Sequence, residues 1–189
     1  MKLSDIPAGL LRGTRLHLAA PALDRVSAMH RLISDFSQPH AEFLIWANGT
    51  ASLEDARTTM QTAVDNFSAD KNEYKFLIIE NSSDALVGCI SLFIHDLRIP
   101  YLEIGYWIGS ASMGKGYASE ACALVRDIAV EFFNAKRIAL TTAARNTRSI
   151  RVAERCGFEC EAVLSNARID KAGVVDDTCV YVFKGASAK

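Results

Sequence analysis

The chain has 189 residues, half of them apolar, and a formal net charge of −1 at pH 7. These values predict one soluble globular domain over residues 1–189 and exclude a strongly basic surface for nucleic acid. No apolar run approaches the roughly 18 residues of a membrane-spanning helix, and the N-terminus lacks the apolar core of a signal peptide. Five cysteines without a CxxC pair favour a reduced, cytoplasmic protein with no metal site.

The hydrophobic pattern of the first half predicts a strand, two helices and a three-stranded meander. Ser52 and Asp55 have the spacing of a capping box, and apolar residues follow at helical spacing, so the second helix begins there. Short links between the last three strands favour antiparallel neighbours. The expected elements are strand 14–20, helix 21–36, helix 53–67, and strands 74–80, 86–95 and 101–108.

The second half predicts helices that alternate with strands, and Gly157 is positioned to end the last helix. Strands 101–108 and 137–142 are connected through a helix, so they should form one parallel pair in an otherwise antiparallel sheet. The fold class is therefore α/β, with a mixed sheet flanked by helices. The expected elements are helix 117–133, strand 137–142, helix 146–156, and strands 158–165 and 178–183.

The stretch GSASMGKGYASEA, residues 109–121, has glycines around a lysine just before a predicted helix. A nucleotide P-loop needs Ser or Thr where Gly116 stands, and a dinucleotide fingerprint from Gly114 needs a glycine where Ser119 stands. Unpaired N–H groups at a helix start can bind a phosphate without a metal, and glycines allow it to approach closely. A glycine-rich turn before a core helix is the alternative.

The six residues Met113 to Ala118, MGKGYA, are similar to the pyrophosphate loop Q/R-x-x-G-x-G/A of the GNAT acyltransferase superfamily. Both small positions match, while Met113 replaces the leading Gln or Arg. Within that superfamily the chain most resembles the RimJ/RimL-type ribosomal-protein N-terminal acetyltransferases. The segments that carry this resemblance are EIGYWIG, GKGYASEA, ARNTRSIRVAERCGFE and, on the substrate side, FLIWANGTASLEDARTTM.

The resemblance implies a GNAT fold, with the parallel strand pair splayed apart, and an acetyl-CoA-dependent N-acetyltransferase. The acceptor would be a primary amine, with the N-terminal α-amine of a ribosomal protein as the leading class. Alternatives are a small amine (a polyamine, an aminoglycoside or an amino acid) and a non-catalytic acyl-CoA-binding module. Acetyl-CoA would be a co-substrate with no metal, and the protein would act without nucleic acid or membrane, as a monomer or homodimer.

The resemblance also assigns residues to the cofactor and to catalysis. A strand N–H near Trp107 or Ile108 would contact the thioester carbonyl, and Lys115 would lie beside the phosphates. Asn146 would contact the pantetheine, although asparagine is also a favoured helix N-cap. The full cofactor set is Trp107, Ile108, Met113, Gly114, Lys115, Gly116, Tyr117, Ala118 and Asn146.

Glu103 is the candidate general base, and a solvent-facing glutamate at a sheet edge is the alternative. Ala153 stands where many GNAT enzymes have a tyrosine acid, so the resemblance leaves Ser149, a water or no group at all to protonate the leaving thiolate. Ser149 is the candidate residue, and an ordinary first-turn serine is the alternative. Phe43 and Trp46 would line the acceptor side, or would be core aromatics. His95 and Asp96 are neighbours on a strand and face opposite ways, so His95 is expected on the surface.

Overall fold

A computed structural model of the protein describes residues 5–47, 52–69 and 73–184. Its centre is a seven-stranded sheet with the strand order β1-β2-β3-β4-β5-β7-β6. All neighbours in the sheet are antiparallel except β4 and β5, which are parallel. The strands are β1 (Leu16–Ala19), β2 (Glu73–Glu80), β3 (Leu86–Asp96), β4 (Tyr101–Ile108), β5 (Arg137–Ala143), β6 (Glu159–Ile169) and β7 (Val175–Lys184).

Helices cover both faces of the sheet. Helix α4 and helix α5 pack on one face, while α1 and α3 pack on the other. The described helices are α1 (Val26–Ser34), α2 (Gln38–Phe43), α3 (Leu53–Ala69), α4 (Tyr117–Asp127) and α5 (Thr147–Arg155). Strand β4 lies in the middle of the sheet, and its residues alternate between the two faces: Leu102 and Ile104 are buried on the α4 side, with Glu103 and Gly105 on the other.

The structure confirms the mixed sheet, its single parallel pair and every predicted strand, with small differences at the ends. The capping box of α3 is present, because the Asp55 N–H donates to Ser52 Oγ and the Ser52 N–H donates to Asp55 Oδ2. Gly157 ends α5 in the left-handed conformation, at φ 80°. In the resembled segment FLIWANGTASLEDARTTM, residues 48–51 lie outside the described ranges.

Two features of the helices differ from the prediction. The pattern predicted one helix over 117–133, but α4 ends at Asp127 and continues as a π-helical turn over Ile128–Phe132. Helix α2 was not predicted, because its six residues are too few for a periodic pattern. Its signals are local: Pro39 lies in the first turn, and Ser37 and His40 form a capping box.

Candidate active site

The parallel strands β4 and β5 separate part-way along their length. Three residue pairs join them, and the last pair is Glu103 opposite Ala139. Beyond that point β4 still pairs with β3, and β5 still pairs with β7. A cavity of about 720 Å³ opens at the separation, lined by the free ends of both strands together with residues of α1, α2, α3 and α5. Its size is that of a pocket for a substrate-sized molecule.

The end of β4 directs peptide groups into this gap. The Gly109 N–H donates to the Val87 carbonyl of β3, and successive peptide groups of a strand alternate in direction. The N–H and C=O of Trp107 therefore point toward β3, while the N–H and C=O of Ile108 point to the opposite side, into the gap. The buried His40 donates from Nε2 to the Ile108 carbonyl at 2.7 Å, which anchors α2 to this edge. Of the two predicted strand contacts, Ile108 has the N–H oriented toward the gap.

The glycine loop after β4 leaves a row of backbone donors unused. Gly114 and Gly116 have φ values of +75° and +83°, a conformation that disfavours other residues. Gly116 is the N-cap of α4, and no side chain forms a capping hydrogen bond at this end of the helix. Within the described part of the chain, the N–H groups of residues 114–119 donate to no protein acceptor. These donors and the helix dipole together form the kind of site that binds phosphate groups.

Arg15 supports this loop from the start of β1. Its guanidinium donates to the Lys115 carbonyl at 2.6 Å and pairs with Glu120 at 2.8 Å. The pairing offsets the one acidic side chain in the first turn of α4. Lys115 has an exposed side chain, and Tyr117 is buried, with its hydroxyl on the Glu80 carboxylate. Met113 and Ala118 are partly buried against the α4 core, and the Met113 N–H donates to the Ser110 carbonyl, so the row of free donors begins at Gly114.

Glu103 lies at the fork between the two strands, in the centre of the sheet, and this excludes the sheet-edge interpretation. Both of its carboxylate oxygens are engaged. Oε1 accepts a hydrogen bond from Thr141 Oγ1 at 2.8 Å, and Oε2 lies 2.7 Å from His95 Nε2. Thr141 lines the cavity, so its hydroxyl stands between the cavity and the Glu103 carboxylate.

His95 lies on the surface, as expected from the sequence, and it also contacts Glu103. A bulge in β3 follows Ile94, so that Asp96 rather than His95 lies opposite Tyr101. His95 lies on the same face of the sheet as Glu103, where its Nε2 is 2.7 Å from Glu103 Oε2 and its ring stacks on the Tyr101 ring with centroids 4.5 Å apart. Its side chain is still 41% exposed. The contact joins neighbouring strands, so it depends on the pairing register, which alternation within one strand does not specify.

Ser149 faces the cavity from the first turn of α5. Its hydroxyl lies 2.9 Å from the hydroxyl of Tyr106, a strand residue that the sequence analysis did not select. Burial raises the pKa of Tyr106, so its phenol stays protonated through the neutral range. Ala153, where many GNAT enzymes were expected to have a tyrosine, is fully buried. A tyrosine hydroxyl is nevertheless present beside Ser149, supplied by β4.

Asn146 caps helix α5 and also lies in the wall of the cavity. Its Oδ1 accepts the Ser149 N–H at 3.1 Å, which makes it the N-cap of α5. Asn146 also lines the cavity. The capping bond uses the side-chain oxygen and leaves the amide NH₂ available as a donor.

Aromatic side chains form the opposite wall. Phe43 and Trp46 both line the cavity, and Trp46 is 53% exposed, so it is not a core residue. The Trp46 ring meets the edge of Trp107 with ring centroids 6.2 Å apart, and Phe36 packs against both indoles. The cavity thus has an amphipathic rim of aromatic rings on the side formed by α2 and the segment that follows it.

A family sequence profile described as an acetyltransferase (GNAT) domain matches residues 15–159. The chain belongs to the GNAT family. The strand pair that separates at Glu103 and the glycine loop before α4 both fall within the matched residues.

Curated relatives of this GNAT domain are bacterial acetyltransferases. One is "Probable N-acetyltransferase YjcK" of Bacillus subtilis, 38% identical over 107 residues, which are 56% of this chain and 58% of that protein. The chain therefore spans less than two thirds of that relative. Another is the ribosomal-protein-serine acetyltransferase of Escherichia coli, 28% identical over 152 residues, 80% of this chain and 83% of that protein.

Solved structures of similar shape are also acetyltransferases. RimL, a ribosomal L7/L12 α-N-protein acetyltransferase in complex with coenzyme A, gives a TM-score of 0.84 at 22% identity over 95% of this chain and 97% of that one. The microcin C7 self-immunity acetyltransferase MccE, in complex with acetyl-CoA and AMP, gives 0.83 at 23% identity over 91% and 93%. At these identities the likeness establishes the fold.

Three further observations concern a charged side chain, metal ligands and membrane-spanning helices of the GNAT domain. Arg145 pairs with Asp170 and Asp176 at 2.9 Å each, so its guanidinium is engaged within the protein. Among the described residues, no group of His, Cys, Asp and Glu is arranged to hold a metal ion. No helix in the described ranges has the length and apolar character to span a bilayer.

Proposed function

We propose that residues 1–189 form a single GNAT domain and that it is an acetyl-CoA-dependent N-acetyltransferase. It modifies a primary amine, which attacks the thioester directly in a ternary complex. The proposed acceptor is the N-terminal α-amine of a protein. The observation that carries the proposal is the separation of β4 and β5 at Glu103, because it joins a cofactor-sized gap to a carboxylate.

The glycine loop fits the diphosphate of acetyl-CoA. Six consecutive residues, 114–119, offer N–H groups without a protein acceptor in the described chain, and nothing lies within 4 Å of the position of a Cβ on Gly114. The exposed Lys115 adds a positive charge, and Arg15 neutralises Glu120 behind the loop. The thioester arm would follow the gap, where the Ile108 N–H and the Asn146 amide are the available donors.

The amine must lose a proton before it attacks, and Thr141 and Glu103 supply a route. The Thr141 hydroxyl faces the cavity and donates to Glu103 Oε1. A proton from the amine, directly or through a water, passes to Thr141 Oγ1 as the hydroxyl proton passes to Glu103. His95 holds the second carboxylate oxygen and fixes the orientation of the base. An α-amine has a pKa of about 7.7–8.0, so a carboxylate base is sufficient.

The leaving thiolate needs a proton or a hydrogen bond, and Ser149 is placed to provide it. The Tyr106 phenol, protonated because burial raises its pKa, can donate to Ser149 Oγ while Ser149 donates to the sulfur. The thiol is a tolerable leaving group, with a pKa near 8–9, so this contribution is smaller than that of the base.

The acceptor class is supported by the relatives and by the shape of the wall. The ribosomal-protein-serine acetyltransferase of Escherichia coli matches over 80% of this chain. Phe43 and Trp46 form an aromatic rim that suits an extended peptide end. All five cysteines are free thiols, as in proteins of the reducing cytoplasm, where we place the reaction.

Thiol release from acetyl-CoA tests the proposal with a panel of acceptors: peptides with free or blocked N-termini, a polyamine, an aminoglycoside and free amino acids. The proposal expects turnover with free N-termini, and none once the N-terminus is blocked. Turnover confined to a small amine would show that the acceptor is a small molecule and not a protein N-terminus. Tight coenzyme A binding with no turnover on any amine would make the protein a binding module.

A further inference from the structure

One charged side chain in the cavity wall has no partner. Four charged residues line the cavity: Asp55, Glu73, Lys75 and Arg168. Arg168 forms none of the ion pairs and hydrogen bonds found among the described residues, although its side chain is only partly exposed. A guanidinium that loses solvent without gaining a partner is costly, so an unpaired arginine in a pocket wall indicates a ligand.

The other three charged groups are satisfied within the protein. The Asp55 carboxylate accepts hydrogen bonds from Ser52 Oγ and N–H in the α3 capping box. Glu73 accepts the Ser91 hydroxyl at 2.7 Å and forms an ion pair with Lys75 at 3.4 Å. Within the described lining, Arg168 is the charged side chain that has neither a hydrogen-bond partner nor an ion-pair partner.

The acidic residues near Arg168 form their ion pairs with Arg145, and none of them is within ion-pair distance of Arg168. Arg168 also borders a small adjoining pocket that contains Glu42, Asp170 and Asp176. All three carboxylates pair with Arg145, at 3.8, 2.9 and 2.9 Å respectively. Asp176 is even the cross-strand neighbour of Arg168, yet its carboxylate is turned to Arg145.

The backbone of β6 is shaped at this position. Between Leu164 and Arg168 the strand has an irregularity, with Asn166 in the left-handed region at φ 52°. The Asn166 N–H donates to Asp177 Oδ1 at 2.9 Å, which holds the irregular turn in place. Such bulges bend a strand and aim a side chain, and Arg168 is the residue that resumes the register after it.

We propose that Arg168 binds a carboxylate that the acceptor carries close to its reacting amine. This inference rests on the proposed acetyl transfer and names the acceptor class: peptides with Asp or Glu next to the N-terminus, or amines with a carboxylate of their own. A guanidinium binds a carboxylate through two parallel hydrogen bonds, which favours this group over a neutral amide.

The position of Arg168 assigns it to the acceptor rather than to the phosphates of the cofactor. Arg168 shares the adjoining pocket with Phe43 of α2, the aromatic rim of the acceptor side. The glycine loop is contacted by Arg15 from β1 and, through Tyr117, by Glu80 from β2. Strands β1 and β6 are the two opposite edges of the sheet.

The test compares matched acceptors on the full chain. Two peptides differ only in Asp or Asn at the second position, two more differ likewise at the third, and serine is compared with serinamide. Thiol release gives kcat and KM for each, and calorimetry with coenzyme A present gives the binding constant of each acceptor without turnover. The peptide pairs report a side-chain carboxylate, and the serine pair reports an α-carboxylate.

The wild type should favour the carboxylate member of at least one pair by about tenfold, chiefly through KM and the binding constant. Arg168→Gln should reduce that ratio to about one, and Arg168→Lys should retain part of it because it keeps the charge without the planar fork. Arg155→Gln is the matched control, since Arg155 is exposed on α5 and outside the cavity lining. It should keep the wild-type ratio.

The proposal is overturned if the wild type shows no preference in binding, or if Arg168→Gln keeps the preference while its coenzyme A affinity shows that it is folded. If no acceptor turns over, the proposed acetyl transfer fails, and the binding ratios still decide the role of Arg168. If both members of every pair turn over equally well and bind equally well, acetyl transfer stands and the acidic-acceptor class is wrong.

Discussion

Thr141 donates a hydrogen bond to Glu103 across the point where backbone pairing between β4 and β5 ends. Thr141 lies two residues beyond Ala139, the last β5 residue paired with β4, and its side chain lines the cavity. The contact bridges the separated strands and connects the carboxylate to the cavity. The proposed reaction depends on this connection, since the wall of the cavity that faces Glu103 is formed by Thr141.

Thr141→Val should therefore lower kcat, because valine keeps the shape of threonine and removes the hydroxyl that passes the proton. We expect a loss of about tenfold at neutral pH, less than the full contribution of a general base, since a water can partly replace the hydroxyl. Thr141→Ser is the matched control and should retain most of the activity. Equal rates for the valine and serine variants would show that the hydroxyl takes no part.

Glu103→Gln should lower kcat by about a hundredfold at low pH, where the acceptor amine is protonated and needs a base. The difference from the wild type should narrow above about pH 8, where the amine is deprotonated in solution. The measurement is the pH–rate profile of both proteins with one peptide acceptor. Glu131→Gln, an exposed substitution within the π-helical turn, should leave the profile as it is. A profile that Glu103→Gln does not alter would remove this residue from the mechanism.

Gly116→Val should weaken coenzyme A binding by about a hundredfold, because a side chain at this position meets the Arg15 guanidinium, which supports the loop, and so disturbs the charge-assisted phosphate site. Backbone strain alone costs about 1–2 kcal/mol at such a positive φ. Gly173→Val separates the two effects: Gly173 has φ +82° with open space around it, and it lies in the β6–β7 hairpin. It should lose similar stability and keep its affinity for coenzyme A. Equal affinities of the two variants would refute the loop assignment.

Tyr106→Phe should change how stability depends on alkaline pH. Burial raises the pKa of Tyr106, so the folded protein keeps this proton above pH 10 while the unfolded chain releases it. The contribution of Tyr106 is therefore fully present below about pH 10 and is lost as pH rises, by about 1.4 kcal/mol per pH unit. Urea unfolding from pH 9 to 11 should show the wild type losing free energy of unfolding faster than the phenylalanine variant. Parallel curves would contradict a buried, protonated phenol.

Much of the fold could be predicted because its elements have strong local patterns. The strand YLEIGYWI was predicted at the bounds of β4, and the crossover helix dictated the parallel pair. The glycine loop could also be predicted, because a positive φ favours glycine and so Gly114 and Gly116 mark the loop in the sequence.

The partners of the candidate catalytic groups could not be predicted in the same way. His95 meets Glu103 across two paired strands, and Arg168 follows an irregularity beyond the predicted end of its strand at residue 165. Tyr106 meets Ser149 across elements 43 positions apart in sequence. Contacts of this kind depend on register and on the separation of strands, which periodicity does not specify.

In the proposed reaction, the acetyl group passes directly from acetyl-CoA to an N-terminal amine in this cavity. The most direct test is a single-turnover reaction of the protein, acetyl-CoA and a peptide acceptor, in which intact masses of both the protein and the peptide are followed over time. Direct transfer predicts one acetyl group on the peptide N-terminus and an unmodified protein at every time point. An acetylated protein that precedes the product, or a peptide that stays unmodified while coenzyme A is bound, would contradict it.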